Sequence, residues 1–411
     1  MREVFRNRSY AKLFAAQVVA LLGTGLLTVA LGLLAFDIAG GDAGVVLGTA
    51  LTIKMLAYVG VAPVIAAATS HVPRKLLLVS ADVLRAGVAI SLPFVTEVWQ
   101  IYVLIFVLQA ASATFTPAFQ AVIPEVLPDE RQYTRALSLS RLAYDLEALV
   151  SPVLAAALLT VISYHNLFVG TFVGFVGSAV LVLATAFPKL AAVAPAPFVD
   201  RLTRGVRVFL RVPELRSLLA MNLVVATSTA MVIVNTVVLV QGDLGRPQTD
   251  VALLLAAYGA GSMAVALALP KLLDRWPDRP FMLAGAAALP VGLAAAALVI
   301  ALPAGPVTWV ALLLLWLFLG AATSLILTPS ARLLRRSSDE TNRPAVFAAQ
   351  FSLSHACFIL TYPTAGLLGA LLGLPATALI LAGVGVLAAI AVRVAWPTRV
   401  EVGEPAAAEH H

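Results

Sequence analysis

The sequence predicts an all-α membrane protein, with twelve transmembrane helices arranged as two pseudo-symmetric six-helix bundles. Three observations carry that expectation. The 411 residues are 61% hydrophobic and only 12% charged, against about 25% charged in a soluble domain. Apolar runs of roughly 20 residues recur along the whole chain, each long enough to cross a hydrocarbon core of about 30 Å as a helix. Basic residues gather in alternate loops. A barrel is excluded, because its strands would be roughly 10 residues of alternating polarity.

Taken in order, the spans fall at 11–36, 44–68, 76–95, 99–122, 138–162, 165–187, 217–241, 250–272, 280–302, 306–328, 346–372 and 374–396. The first is too long for the apolar core of a cleavable leader and is followed by further spans. With alternate loops assigned to opposite sides, Arg2, Arg6, Arg8 and Lys12 share a side with Arg74, Lys75, Arg131, Arg135, Lys271, Arg275, Arg279, Arg332, Arg335, Arg336 and Arg343. The opposite loops offer only Arg246. The positive-inside rule then places both termini in the cytoplasm. A net charge of +6 confined to such loops points to a lipid surface and not to nucleic acid.

The longest non-apolar segment, 188–216, separates an N-terminal bundle, 1–187, from a C-terminal bundle, 217–399. Within it Arg201, Arg204, Arg207 and Arg211 lie opposite Leu202, Val206 and Phe209. That pattern suits an amphipathic helix, either on an anionic leaflet or in water. Residues 400–411 read as a disordered tail with a tag remnant, so His410 and His411 are left aside. The single cysteine, Cys357, rules out an intramolecular disulfide, and no cofactor is expected.

The halves also resemble each other. Thr116-Pro117 and Thr328-Pro329 each close a span, a charged loop follows, and Pro152 and Pro363 recur after similar intervals. A duplicated six-helix unit requires such a layout. Twelve spans, a 6+6 split and a basic central loop together resemble a major facilitator superfamily transporter over essentially the full chain. The stretch "FTPAFQAVIPEVLPDE", then "RALSLSR", then "SP" in the fifth span is similar to the drug and siderophore exporters akin to the enterobactin exporter. Two features depart from the family pattern. The second loop reads "AAATSHVPRK", with Ala66, Ser70 and His71 where the family has Gly, Asp and Arg, so its gating ion pairs must be built differently. In "EALVSP", Glu147 and Ser151 replace the glycines of the antiporter signature.

Charges within the membrane cost about 2.5 to 3.5 kcal/mol each and so mark candidate sites. Lys54 lies about ten residues into the second span, too deep for its stem to reach either interface. It must face protein or water, as half of an ion pair, as a proton carrier or as an anchor for an anionic substrate. The fifth span supplies Arg141, Asp145 and Glu147. Arg141 and Asp145, four apart, share a helix face; Glu147 points about 120° away from Arg141 and needs another partner. A carboxylate in an apolar cavity can pick up and release protons, as antiport requires. Asp82 and Arg85 read as a pair near the cytoplasmic start of the third span, gating together with Arg74 and Lys75.

Uncharged polar stripes mark helices that line a cavity: Gln17, Thr24 and Thr28 in the first, Gln109, Ser112 and Thr116 in the fourth, Asn222, Thr229 and Thr236 in the seventh, and Thr323 in the tenth. Interhelical hydrogen bonding accounts for the same stripes equally well. His355 is a candidate metal ligand, but Cys357, two residues on, diverges by about 160° on a helix.

The function expected is that of a monomeric secondary active transporter, not an enzyme. It would export a small molecule by alternating access, in antiport with protons. Efflux of nickel, cobalt or another divalent metal is one alternative, and a non-transporting receptor on the same fold is another.

Overall fold

A computed structural model describes residues 2–61, 72–187, 206–273, 275–338 and 343–396. Among them the secondary structure is helical throughout, with no strand, as a lipid environment demands when every backbone polar group must be satisfied within its own segment. The first half contains α1 (Arg8–Ala39), α2 (Ala43–Leu56, continued by a π-helical turn Ala57–Val61), α3 (Arg74–Ser91), α4 (Val98–Val126), α5 (Glu130–Leu158) and α6 (His165–Leu183). The second contains α7 (Pro213–Val237, continued by a π-helical turn Val238–Asp243), α8 (Gln248–Leu273), α9 (Asp278–Ile300), α10 (Pro306–Arg336), α11 (Arg343–Leu372) and α12 (Leu374–Ala395).

These twelve helices correspond in order to the twelve expected spans. Several overrun the apolar runs: α5 begins eight residues before the predicted span, and α10 continues past Thr328 to Arg336. The overruns are polar ends that leave the hydrocarbon. Among the described residues ten stretches are long and apolar enough to cross a membrane, the first covering both α1 and α2.

Local chemistry sets the helix ends. The Asn7 side chain accepts from the Ser9 and Tyr10 amides at the start of α1, and Asp129 accepts from the Gln132 amide at the start of α5. Each satisfies amides that a helix leaves without an internal partner. Between α11 and α12 the chain reverses at Gly373, whose φ of 81° a side chain would resist.

Packing repeats between the halves. The pairs α1·α6, α3·α6, α3·α4, α1·α5 and α2·α4 recur as α7·α12, α9·α12, α9·α10, α7·α11 and α8·α10. Two seams join the halves, α2·α11 and α5·α8, and the same six-helix shift exchanges one for the other. A twofold-related pair of bundles has this contact pattern.

The α2·α11 seam is tightest away from the termini. A Cβ on Gly44 would lie 3.7 Å from the Gly366 Cα, and one on Gly48 would lie 2.5 Å from the Tyr362 carbonyl oxygen. Backbone therefore meets backbone, which only glycine permits. Asn235 of α7 closes the junction, donating from Nδ2 to the Ala365 carbonyl at 3.1 Å.

In the linker, residues 188–205 lie outside the described residues, and 206–211 are helical. Phe209 there is completely buried and packs into the main core. That apolar face covers protein, so the described part of the linker does not present it to lipid.

Candidate functional site

The first half brings its deep charges together near its centre. Lys54 stands 11 residues into α2, about 16 Å at helical rise. It is half-buried, and its Nζ lies 6.0 Å from the centroid of the Tyr58 ring, one turn on. Glu147 of α5 is the opposite charge it feels. Glu147 fits because α1 presents a glycine there: a Cβ at Gly25 would lie 2.8 Å from Glu147 Oε1. Two helices distant in sequence thus supply a cation and an anion to one interior, which local spacing could not reveal.

Around them lies a layer of hydroxyls and amides. Ser140 of α5 donates to Gln17 Oε1 of α1 at 2.9 Å. Tyr144 feels Tyr58, Arg85 and Glu147. The side chains of Arg141, Asp145 and Thr116 lie outside the described residues.

Asp82 and Arg85 lie on α3, which starts at Arg74, so Asp82 is eight residues in, about 12 Å from the helix end. The two side chains pair with each other and are 0% and 5% exposed. The Arg85 guanidinium lies between the Phe115 and Phe175 rings, 4.2 and 4.5 Å from their centroids. Aromatic faces take the place of water for this cation. Lys75 donates to the Thr185 carbonyl at 3.0 Å, tying α3 to the end of α6 within one half, and Arg74 opens the same helix.

The polar stripes divide by environment. Thr24 and Thr28 bond carbonyls of their own helix and are half-buried. Gln109 and Ser112 are buried. In the second half Asn222 donates to Gln350 Oε1 at 3.2 Å, while the Tyr258 hydroxyl joins Thr229 and Thr323 at 3.3 and 3.1 Å. Thr236, 1% exposed, accepts the Trp316 indole N–H at 3.0 Å. Its hydroxyl serves a dry helix contact and not an open surface.

His355 of α11 faces the first half. Its Nδ1 lies 2.6 Å from the Phe351 carbonyl, its ring centroid lies 5.5 Å from that of Tyr58, and it feels the Lys54 charge. Phe351 completes the cluster, 5.9 Å from Tyr58 and 4.1 Å from His355. Cys357 Sγ is directed to the Leu353 carbonyl. Among the described residues no three His, Cys, Asp or Glu side chains gather as a metal site. Sequence reasoning did not single out Tyr58, Tyr144, Tyr258, Gln350 or Phe351. The available signal was Tyr58, placed one helical turn beyond Lys54.

Two six-helix bundles thus enclose polar side chains between apolar helices. A family model for the Major Facilitator Superfamily matches residues 13–238 and 218–410. The chain belongs to that superfamily. Macrolide efflux protein A of Streptococcus pyogenes is 27% identical over 183 residues, 43% of this chain and 44% of that protein. Macrolide efflux protein A of Enterococcus faecalis is 28% identical over 154 residues, 35% and 47% of the two chains. The chain thus spans less than half the length of these relatives. Among solved structures, a bacterial homologue of the human lysosomal transporter Spinster superposes with a TM-score of 0.73 at 14% identity, covering 95% of this chain and 97% of that one. The nucleoside transporter NupG superposes with a TM-score of 0.72 at 14% identity, covering 95% and 99%. The last two likenesses establish fold alone.

Proposed function

We propose that the protein works as a monomer in the bacterial inner membrane, with both termini cytoplasmic, and exports a small molecule in exchange for protons. One observation supports the proton part: α2 and α5 turn opposite charges, Lys54 and Glu147, into one interior, where each senses the other and both are half-accessible. A charged pair at that depth is retained at a cost, and a hydrated pathway accounts for it. The one-sided loop arginines support the orientation, and the efflux-named relatives support export.

The two seams support alternating access. The same helices that carry Lys54 and Glu147, α2 and α5, form the contacts with α11 and α8. A change of charge in the pair therefore acts on the elements that move. Protonating Glu147 cancels its attraction for Lys54 and alters the relative stability of two arrangements of the halves. Arg141 and Asp145 remain candidate partners on the same helix, and Arg74, Lys75, Asp82 and Arg85 candidate gating residues.

The test is transport into liposomes under an imposed pH gradient. Erythromycin is the first substrate, followed by a lipophilic cation, a catecholate siderophore and nickel. Gradient-driven accumulation of an organic probe, lost in Glu147→Gln, is the expected result. Accumulation indifferent to the gradient would defeat proton coupling. Nickel flux alone would favour metal export through His355, and no flux of any probe would favour a receptor.

A further inference from the structure

The second half carries no Asp, Glu, Lys or Arg at bilayer depth. Within its six apolar runs the only such residues are Asp250, Lys271 and Arg393, each at the end of a run. The first half, by contrast, sets Lys54, Asp82, Arg85, Arg141, Asp145 and Glu147 well inside its own. In place of charge the second half offers a row of three hydroxyls on three helices. Tyr258 of α8 donates to Thr323 Oγ1 of α10 at 3.1 Å, and its oxygen lies 3.3 Å from Thr229 Oγ1 of α7.

A phenol has one hydrogen, and Thr323 takes it. Thr229 must then donate to Tyr258, so the bonds run in one sense, from Thr229 to Tyr258 to Thr323. Each link polarises the next. Thr229 has no second hydrogen to give and presents lone pairs. Helix α7, which carries it, packs against α1, α2 and α8 through α12. It is the most enclosed of the spanning stretches. Thr229 is nonetheless half-buried, while its neighbours in sequence are buried, so its accessible side opens on the interior between helices. Thr323, 4% exposed, is the closed end of the row.

The frame around the row is rigid. The backbones of α8 and α10 touch where they cross: a Cβ on Gly320 would meet the Tyr258 carbonyl, and one on Gly261 would meet the Leu317 carbonyl. Tyr258 is within one turn of Gly261, and Thr323 within one turn of Gly320. Hydroxyls held this way keep their direction when a ligand arrives.

We propose that Thr229, aimed by Tyr258 and Thr323, accepts a hydrogen bond from a hydroxyl on the uncharged part of the substrate. The ligand class is an amphipathic molecule whose body carries free hydroxyl groups, and the second half reads that body. The inference rests on the small-molecule function above and adds the substrate's chemistry. An ammonium fits this acceptor poorly, because the second half has no carboxylate nearby to balance a buried charge. A neutral O–H fits it well. An analogue without that hydrogen leaves the Thr229 lone pairs unpaired, and sites built on such a bond discriminate far more strongly than apolar ones.

Equilibrium binding to the full chain in lipid nanodiscs, with no gradient, tests this. The probes are erythromycin, which has several free hydroxyls, and its O-methylated derivative, which has none. Binding requires neither export nor proton exchange, so the result stands whichever way the liposome assay falls. The wild-type chain should prefer erythromycin by at least about tenfold. Thr229→Val keeps the shape without the hydroxyl and should level the two probes, whereas Thr229→Ser should retain the preference. A threonine with a purely structural role would weaken both probes together.

A preference that persists in Thr229→Val overturns the proposal, as does a wild-type chain that binds both probes equally or neither. If Thr229→Val does not assemble, Tyr258→Phe leaves the backbone crossing intact and releases the Thr229 hydrogen. It should narrow the preference by at least about threefold, and an undiminished preference there overturns the proposal equally.

Discussion

Asp278, on the first turn of α9, accepts a hydrogen bond at 3.1 Å from Arg336 near the end of α10, 58 residues later. Arg332 Nε lies 3.4 Å from the other carboxylate oxygen, and Arg332 also donates to the Leu273 carbonyl at 2.7 Å. Three helix ends of the second half are thus fastened on the side of the termini. The carboxylate is 1% exposed, whereas the arginines are more than half exposed, so the acid is the member whose loss matters.

Asp278→Asn removes the charge that both arginines share. Because the arginines can turn to water, the expected loss is that of a charge-assisted hydrogen bond, about 1 to 3 kcal/mol, and not that of a stranded buried cation. Thermal unfolding in detergent measures it. Arg336→Ala alone should cost less, since Arg332 stays with the acid.

Gly366→Ala places a methyl group against the Gly44 carbonyl. The backbone there cannot yield as a side chain would, so α2 and α11 must separate at the end away from the termini, at about 1 to 3 kcal/mol for overpacking. A membrane-impermeant maleimide added from that side should label Thr52→Cys, in a Cys357→Ser chain, several-fold faster than without the substitution. Gly383→Ala, with nothing within 4 Å of the added carbon, is the control and should leave the labelling rate unchanged.

Lys54→Gln and Glu147→Gln should differ from the double variant in an informative way. Each single change leaves one uncompensated charge in the membrane, so each should lower both yield and transport. The double change removes both charges, should restore stability toward wild type, and should leave transport lost. A double-mutant cycle on thermal stability, run beside the liposome assay, separates the two effects.

Tyr164, in the turn between α5 and α6, donates to Asp37 at 2.6 Å. Burial first, then that bond to the carboxylate, raises its phenol above the ordinary value of about 10. A group raised in the folded state adds stability that is whole below the unfolded value and is lost as pH climbs through the folded one. Unfolding midpoints should therefore fall above about pH 10, and Tyr164→Phe should flatten that fall while lowering stability at neutral pH.

The spans were readable because each apolar run must by itself cross the bilayer, and the duplicated Thr-Pro landmarks located the halves. The depth of Lys54 was readable for the same reason. That Glu147 shares its interior was not, because α5 seats Glu147 against α1 at Gly25, a contact no local spacing encodes. The burial of Asp82 and Arg85 was not readable, because it comes from Phe115 and Phe175 on other helices. Thr236 shows the limit of a stripe: its seven-residue register with Asn222 and Thr229 is real, yet Trp316 closes over it. Tyr58, Phe351 and His355 join only when α2 meets α11.

The bare crossing of Gly44, Gly48 and Gly366 also bears on how readily the protein can change shape. Interlocked side chains must each find a new rotamer before two surfaces can slide apart, and every such step adds friction. Where one main chain lies directly on another there is nothing to disengage, so in the proposed cycle this contact can part and re-form as a smooth bearing.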